Sequence, residues 1–162
     1  MKKLLLYTIY VFAIINAGAQ NTPADEFAGK LLSVFSNHDV DGCRRLALDS
    51  SKANPAIRQY VKSKVYVRLD VTFAQQFENV INMGVETGID WTQVKPGTFI
   101  YGEDTLLIKG HKVLKGHVNF TCKGKPYVLA HIGAILTPEG YRFFRIGGVA
   151  RGNVTKYVEP RW

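Results

Sequence analysis

The apolar residues in the first half of the chain recur at the spacing of an α-helix. Thr22 and Pro23 predict the start of the first helix, because a capping hydroxyl and a proline both suit a first turn. Two further helices are predicted after Asp39 and after Pro55. Their apolar faces are formed by Phe27, Leu31, Val34 and Phe35 in the first helix, Val40, Cys43, Leu46 and Ala47 in the second, and Ile57, Tyr60 and Val61 in the third.

Residues 65–71 have an ambiguous pattern. Their apolar side chains alternate like those of a strand, yet they also continue the helical spacing of the preceding segment, and we favour a helix. The next element is clearer, since residues 72–75 have the form of a capping box and Gly88 suits a helix end. The buried face of this helix consists of Phe73, Phe77, Val80, Ile81 and Val85.

From Trp91 onward the pattern changes to the two-residue alternation of β-strands. Glycine, proline and lysine-glycine breaks separate the candidate strands. The predicted strands are 92–101, 104–110, 112–122, 127–137 and 141–150. Helices followed by a run of strands predict an α+β domain, with the N-terminal helices packed on one face of a curved antiparallel β-meander.

This order of elements resembles a known superfamily. A helix ending in Thr87-Gly88-Ile89-Asp90-Trp91 before a curved sheet is similar to the small exported members of the nuclear transport factor 2-like superfamily. Ketosteroid isomerases and polyketide cyclases share this cone-shaped fold, and the resemblance covers most of residues 23–150. It implies either an enzyme or a ligand-binding or accessory domain. No residue matches a catalytic position of the superfamily closely enough to be assigned that role.

The first nineteen residues are typical of a secretory signal peptide. Lys2 and Lys3 precede an apolar run over residues 4–15, and Ala17-Gly18-Ala19 forms a small-residue cleavage site. A spanning helix needs roughly 20 apolar residues, so we expect cleavage after Ala19 rather than an uncleaved anchor. The sequence therefore predicts a periplasmic or secreted protein, with a single domain and a short C-terminal tail over residues 20–162.

The excess of basic residues belongs to the second half of the chain. Residues 20–91 have 8 Lys and Arg against 9 Asp and Glu, whereas residues 92–162 have 11 against 4. A basic surface attracts anions, but an exported protein rarely meets nucleic acid, and no aromatic-basic binding motif is present. We expect an ordinary solvated basic face, a small apolar or anionic ligand as the partner, and no nucleic acid.

Parity along the strands predicts which side chains face the core. A three-residue loop at 123–125 sets Phe120 opposite Val128, Val118 opposite Ala130, and His117 opposite His131. A second loop at 138–140 places Phe144 and Ile146 inside. The other face of the sheet then carries Tyr127, Leu129, Ile135, Phe143 and Val149.

Such a face is too apolar to remain solvated. Members of the superfamily often pair through this face of the sheet, so the resemblance implies a homodimer with these five residues at its interface. The alternative is that the C-terminal tail, with Tyr157 and Trp162, folds back over the face.

Few residues suggest chemistry. His117 and His131 face each other across two strands but lack the third and fourth ligands of a metal site, so no metal and no cofactor are expected. Asp70, Tyr101 and Arg142 are the candidates for polar groups inside the cone that contact a ligand. Nothing indicates that two of them come together, which acid-base catalysis would require.

The two cysteines, Cys43 and Cys122, fall on apolar faces of a helix and a strand. One disulfide between them is compatible with an exported protein, and two buried thiols are the alternative. Taken together, the residues favour a non-catalytic exported domain that binds a small ligand or a partner protein through an apolar cone. The alternative is a small-molecule isomerase or cyclase of the same fold.

Overall fold

The computed structural model describes residues 22–49, 51–64, 73–104 and 110–158. Within these ranges the helices precede one antiparallel sheet, so the predicted α+β class is confirmed. The helices are α1 (Pro23–Ser36), α2 (Val40–Leu46), α3 (Pro55–Lys64) and α4 (Phe73–Thr87). A 3₁₀ turn (Trp91–Gln93) leads into β1 (Val94–Asp104), β2 (Val113–Cys122), β3 (Lys125–Thr137), β4 (Gly140–Arg145) and β5 (Gly148–Arg151).

The signal peptide at 1–19, the ambiguous segment 65–71 and most of the strand expected at 104–110 lie outside the described ranges. In the described ranges, no helix is long and apolar enough to cross a membrane.

The helix ends follow from local side-chain chemistry. The Thr22 hydroxyl accepts a hydrogen bond from the Asp25 N–H at 3.1 Å, and the Asp25 carboxylate accepts one from the Thr22 N–H at 3.2 Å. This reciprocal pair satisfies two backbone donors at the start of α1. Asp39 caps α2 by accepting from the Gly42 N–H at 2.7 Å. Gly88, at φ 95°, ends α4 as predicted.

The sheet has the order β1-β2-β3-β4, and β5 also pairs with β3. The two last strands therefore share one neighbour: β4 pairs with the end of β3 near Ala134, and β5 pairs with its beginning near Leu129. We call the face that carries Leu114, Val118 and Phe120 the inner face, and the opposite one the outer face.

The inner face holds the main core. Helices α1 and α4 supply Phe27, Phe35 and Phe77, and the stacked rings of Phe35 and Phe77 lie 5.1 Å apart. Trp91 continues this aromatic layer and lies 5.9 Å from the ring of Phe120. Burial of these rings removes a large apolar area from water and so stabilises the fold.

A second, smaller core lies on the outer face. Ile57 and Tyr60 of α3 pack there with Val113 and Ile135 of the sheet, and the ring of Tyr60 meets Phe144 edge-on at 5.8 Å. The outer face is therefore covered by the protein's own helix at this end.

The hairpin between β2 and β3 is one residue shorter than predicted. Cys122 pairs with Lys125, so the loop contains only Lys123 and Gly124. Both have positive φ angles, 52° and 74°, which is the backbone of a tight type I′ turn. The pairings predicted near this turn are wrong, because Phe120 lies opposite Tyr127 and Val118 opposite Leu129.

A β-bulge corrects the register halfway along the hairpin. Beyond it, Gly116 pairs with Ile132, which is the register that the three-residue loop had predicted. The extra residue is His131, at φ 53°. It lies beside His117, with ring centroids 5.3 Å apart, so the predicted histidine pair is confirmed.

The predicted interface residues belong instead to the chain's own cores. In the final hairpin Leu136 pairs with Tyr141, so the loop again has two residues and Phe143, not Phe144, faces inward. This corrects the predicted outer face, because a one-residue shift exchanges the two faces of a strand. Tyr127, Leu129 and Phe143 lie in the main core, Ile135 lies in the second core, and Val149 is half-buried against the main core.

The C-terminal tail, residues 152–158, crosses the outer face of the sheet. The Asn119 side chain accepts from the Val154 N–H at 2.9 Å and donates to the Val154 carbonyl at 2.7 Å. Further along, the ring of Tyr157 lies so close to Gly102 that a methyl group on that glycine would collide with it. The tail thus covers part of the outer face, as the alternative to a dimer had supposed; Trp162 lies outside the described residues.

Candidate functional site

Side chains fill the space between the helices and the inner face of the sheet. A cavity in the described core measures about 70 Å³, which is close to the space of two or three water molecules. Its walls are mainly aromatic and include Phe35, Phe73, Phe77 and Phe143, with the thiol of Cys43. An interior of this kind leaves little room for an organic ligand.

The three predicted ligand contacts do not form one site. Tyr101 packs against the main core, with its ring 4.9 Å from that of Phe99. Arg142 pairs with Ile135 and lies on the outer face. Tyr101 and Arg142 are therefore on opposite sides of the sheet. Asp70 is outside the described residues.

Arg142 belongs instead to an open cleft, which we call the basic cleft. It has a volume of about 650 Å³ and lies between the loop that joins α2 to α3 and the turn that joins β3 to β4. Its lining consists of Arg44, Arg45, Ala47, Leu48, Asp49, Lys52, Ala53, Asn54, Ile57, His111, Leu136, Thr137, Pro138, Glu139 and Arg142.

The α2–α3 loop forms one wall because it is bonded to the edge of the sheet. Ala47 makes a parallel bridge to Phe143, and the Leu48 N–H donates to the Phe143 carbonyl at 2.7 Å. Next, the Asp49 carboxylate accepts from the Ser51 hydroxyl at 2.6 Å and from its N–H at 3.0 Å. These hydrogen bonds lower the pKa of Asp49, so the carboxylate remains ionised.

Asn54 connects this wall to the start of β2. Its side-chain oxygen accepts from the Ile57 N–H at 2.9 Å and so caps α3. Its side-chain nitrogen lies 3.0 Å from Nε2 of His111, at the other side of the cleft.

Among the described residues, four Lys and Arg side chains line the cleft, and each has an acidic partner. Three of these ion pairs are largely exposed, and an exposed pair contributes only about 0–1 kcal/mol. An anionic ligand can therefore exchange with the acidic partners at little cost. The pairs are Arg142–Glu139 at 3.0 Å, Arg44–Asp41 at 3.3 Å, Arg45–Asp39 at 3.5 Å and Lys52–Asp49 at 3.6 Å.

The histidine pair is a separate feature on the outer face. The His131 N–H donates to Nδ1 of His117 at 3.4 Å. Burial, and then the neighbouring His131, lower the pKa of His117 below its ordinary value of 6.5. Among the described residues, no three His, Cys, Asp or Glu side chains are grouped closely enough to hold a metal ion.

The cysteines are two separate buried thiols in the structure. Burial, with a smaller contribution from Asp39, raises the pKa of Cys43 to about 12, which makes it a poor nucleophile. The Cys122 thiol exchanges hydrogen bonds with the backbone of Asp90, accepting from its N–H at 3.3 Å and donating to its carbonyl at 3.4 Å.

Sequence reasoning found only one residue of the basic cleft, Arg142. The overall charge pattern was misleading, because three of the four cations come from residues 44–52 in the nearly neutral first half. The adjacent Arg44 and Arg45 were the available signal.

Comparisons of the chain with protein-family models, with curated proteins and with solved structures find no match.

Proposed function

We propose that this protein is a non-catalytic domain that binds a small anionic molecule with an apolar portion in the basic cleft. The proposal rests on the volume of that cleft together with its apolar and its positively charged lining residues. Its volume of about 650 Å³ lies within the range of roughly 300–1,000 Å³ that is usual for ligand sites.

The lining suits a ligand with two different ends. Leu48, Ala53 and Leu136 offer an apolar surface, while Arg45, Lys52 and Arg142 offer charge. Arginine binds carboxylate or phosphate oxygens through two parallel hydrogen bonds, which gives both strength and orientation. A carboxylate or phosphate head with a hydrocarbon or aromatic body matches this arrangement.

The filled cone favours binding over catalysis. An isomerase or cyclase of this fold requires an acid or base in an apolar pocket that shifts its pKa. In the part of the chain that is described, the cavity of about 70 Å³ has no carboxylate or histidine in its lining. Every fully buried side-chain polar atom there has a hydrogen-bond partner, so none is left waiting for a substrate.

Export belongs to the same proposal. It rests on the residue pattern of positions 1–19, as does the resemblance to the nuclear transport factor 2-like superfamily on the order of elements. An exported ligand-binding domain would meet its small anionic ligand in the periplasm or outside the cell.

The test uses two fluorescent probes of similar shape. Anilinonaphthalene sulfonate carries a fixed negative charge, and N-phenylnaphthylamine is its neutral counterpart. We expect the anionic probe to bind more tightly, and Arg142→Gln or Arg45→Gln to weaken its binding about tenfold, as expected for the loss of a charged hydrogen bond. Arg58→Gln removes the same charge from α3 outside the cleft and serves as the matched control.

Circular dichroism of each variant shows that the fold is retained. The proposal is wrong if the folded protein does not bind the anionic probe, or if both cleft variants bind it as tightly as the control does.

A further inference from the structure

The hydrogen bond between Asn54 and His111 defines the charge state of the histidine. The side-chain oxygen of Asn54 is already committed, because it accepts from the Ile57 N–H at the start of α3. The group that faces His111 is therefore the Asn54 NH₂, which can only donate. Nε2 of His111 must accept this bond at 3.0 Å, so it carries no proton and the imidazole is neutral.

Protonation of His111 breaks this bond. A charged imidazole has N–H donors at both ring nitrogens, and Nε2–H would then point at the NH₂ of Asn54. Two donors cannot bond to each other, so the ring must turn away from α3. His111 lines the basic cleft, which is the open space available to it.

The charged side chains around His111 affect how readily its imidazole takes up a proton. Arg44 and Arg45 come from α2, and Asp49 and Lys52 come from the α2–α3 loop. Glu139 comes from the β3–β4 turn and Arg142 from β4. Lys112, the residue after His111, pairs with Glu103 at 3.4 Å. Each of these cations is paired with an acid, since Asp41 and Asp39 are the partners of Arg44 and Arg45. The charges near His111 are therefore balanced in the empty cleft, and a bound anion adds negative charge that favours a protonated imidazole.

We propose that His111 is a proton-dependent anion-binding residue of the basic cleft, held in a neutral position by Asn54 and released when an anion and a proton bind together. This inference rests on the proposed function of the cleft. Histidine is the side chain whose charge changes between about pH 5 and pH 8. Binding of an anion is therefore coupled to uptake of one proton.

The experiment measures the affinity for anilinonaphthalene sulfonate from about pH 8 down to about pH 6, where histidine and not carboxylate charge changes. The sulfonate stays ionised throughout, so a change in affinity belongs to the protein. We expect the affinity to rise about three- to tenfold over this range, while the affinity for neutral N-phenylnaphthylamine stays constant.

Two variants identify the group. In His111→Gln the amide oxygen can still accept from Asn54 but cannot take a proton, so the pH dependence should disappear. In Asn54→Asp the helix cap is kept, but an acceptor now faces Nε2. The titration of His111, followed by NMR of its ring proton, should move to higher pH. His117→Gln, at the outer-face pair, is the control and should keep the pH dependence of the wild type.

The outcomes separate the two proposals. Loss of anionic-probe binding at every pH, or binding that ignores Arg45 and Arg142, would overturn the function of the cleft. Probe binding that depends on the arginines but not on pH would overturn only the role of His111. The role of His111 would also be overturned if the pH dependence survived in His111→Gln, or if the titration of His111 were unshifted in Asn54→Asp.

Discussion

The environment of His117 predicts how the stability of the fold depends on pH. Its pKa is lowered by burial and by His131, so the folded protein binds a proton at this site less readily than the unfolded chain does. The site therefore stabilises the fold fully above the ordinary histidine pKa of 6.5, and this contribution is lost as the pH falls through the lower, folded-state pKa.

We predict that the melting temperature falls as the pH is lowered from about 7.5 to about 5.5, and that the fall is smaller in His117→Asn. Asparagine can still accept from the His131 N–H but does not titrate. Thermal melts followed by circular dichroism give the comparison, with His38→Asn as a control in an exposed turn. An equal slope in the wild type and in His117→Asn would show that this histidine does not carry the effect.

Other single residues could be read directly from the sequence because their partners are local. The helix cap at Thr22 and the helix end at Gly88 depend on residues within one turn, and both are as predicted. Arg142 was selected for a cone that is filled, and its actual surroundings come from the distant α2–α3 loop. Local chemistry identified the residue but could not show what it faces.

At the scale of elements, the strands were predictable but their pairing was not. The strand pairing depends on the length of the loop between the strands. A two-residue turn is hard to recognise in the sequence when its first residue is Lys123 rather than the usual asparagine. The bulge at His131 could not be recognised in the sequence either, since the residue at the positive φ angle is a histidine and not a glycine. The shorter turn moved Tyr127 and Leu129 into the core, and the bulge keeps Ile132 and Ala134 on the same inner face.

The corrected register changes the expected result for Phe143→Glu. With Phe143 only 8% exposed and 6.5 Å from the ring of Phe73, a buried carboxylate would have no partner, and we expect an unfolded protein. The milder Phe143→Ala should lower the free energy of unfolding by about 3–5 kcal/mol. Urea denaturation followed by tryptophan fluorescence measures this change.

The position of the neighbouring ring provides the control. Phe144 packs on the outer face against Tyr60, so Phe144→Ala tests the second core and should leave near-ultraviolet signals from the main aromatic core intact. A folded Phe143→Glu protein of half the wild-type mass would instead restore the homodimer interface that the sequence had suggested.

At the scale of the whole molecule, the Asn119 side chain is one of the contacts that hold the tail on the sheet. Asn119 is 8% exposed, and its side chain donates to the Val154 carbonyl and accepts from the Val154 N–H. Asn119→Ala would leave the Val154 N–H and carbonyl without these partners, which typically costs about 1–3 kcal/mol.

We predict that Asn119→Ala releases the tail while the two cores persist. Limited trypsin digestion should then cut after Lys156 faster than in the wild type, while circular dichroism stays nearly unchanged. Thr121→Ala, on the same face of β2 but exposed, is the matched control. Equal cleavage rates in Asn119→Ala and the control would mean that other contacts, such as Tyr157 on Gly102, hold the tail.

The basic cleft is also a property of the whole chain. Its walls come from residues 44–57, from His111 and from residues 136–142, which local patterns cannot bring together. Its existence depends on the bridge from Ala47 to Phe143, and this bridge could not be foreseen from either segment alone. The homodimer stays a prediction, and light scattering of the wild-type protein tests it.

The bond between Asn119 and Val154 has a consequence for the order in which the chain matures. Asn119 lies in the second strand, but its partner follows 35 residues later. Because synthesis proceeds from the N-terminus, the part of the outer face around Asn119 stays uncovered until this later segment has emerged. A nascent chain is therefore unfinished for that interval, and a chaperone that recognises extended polypeptide would have that interval in which to bind it.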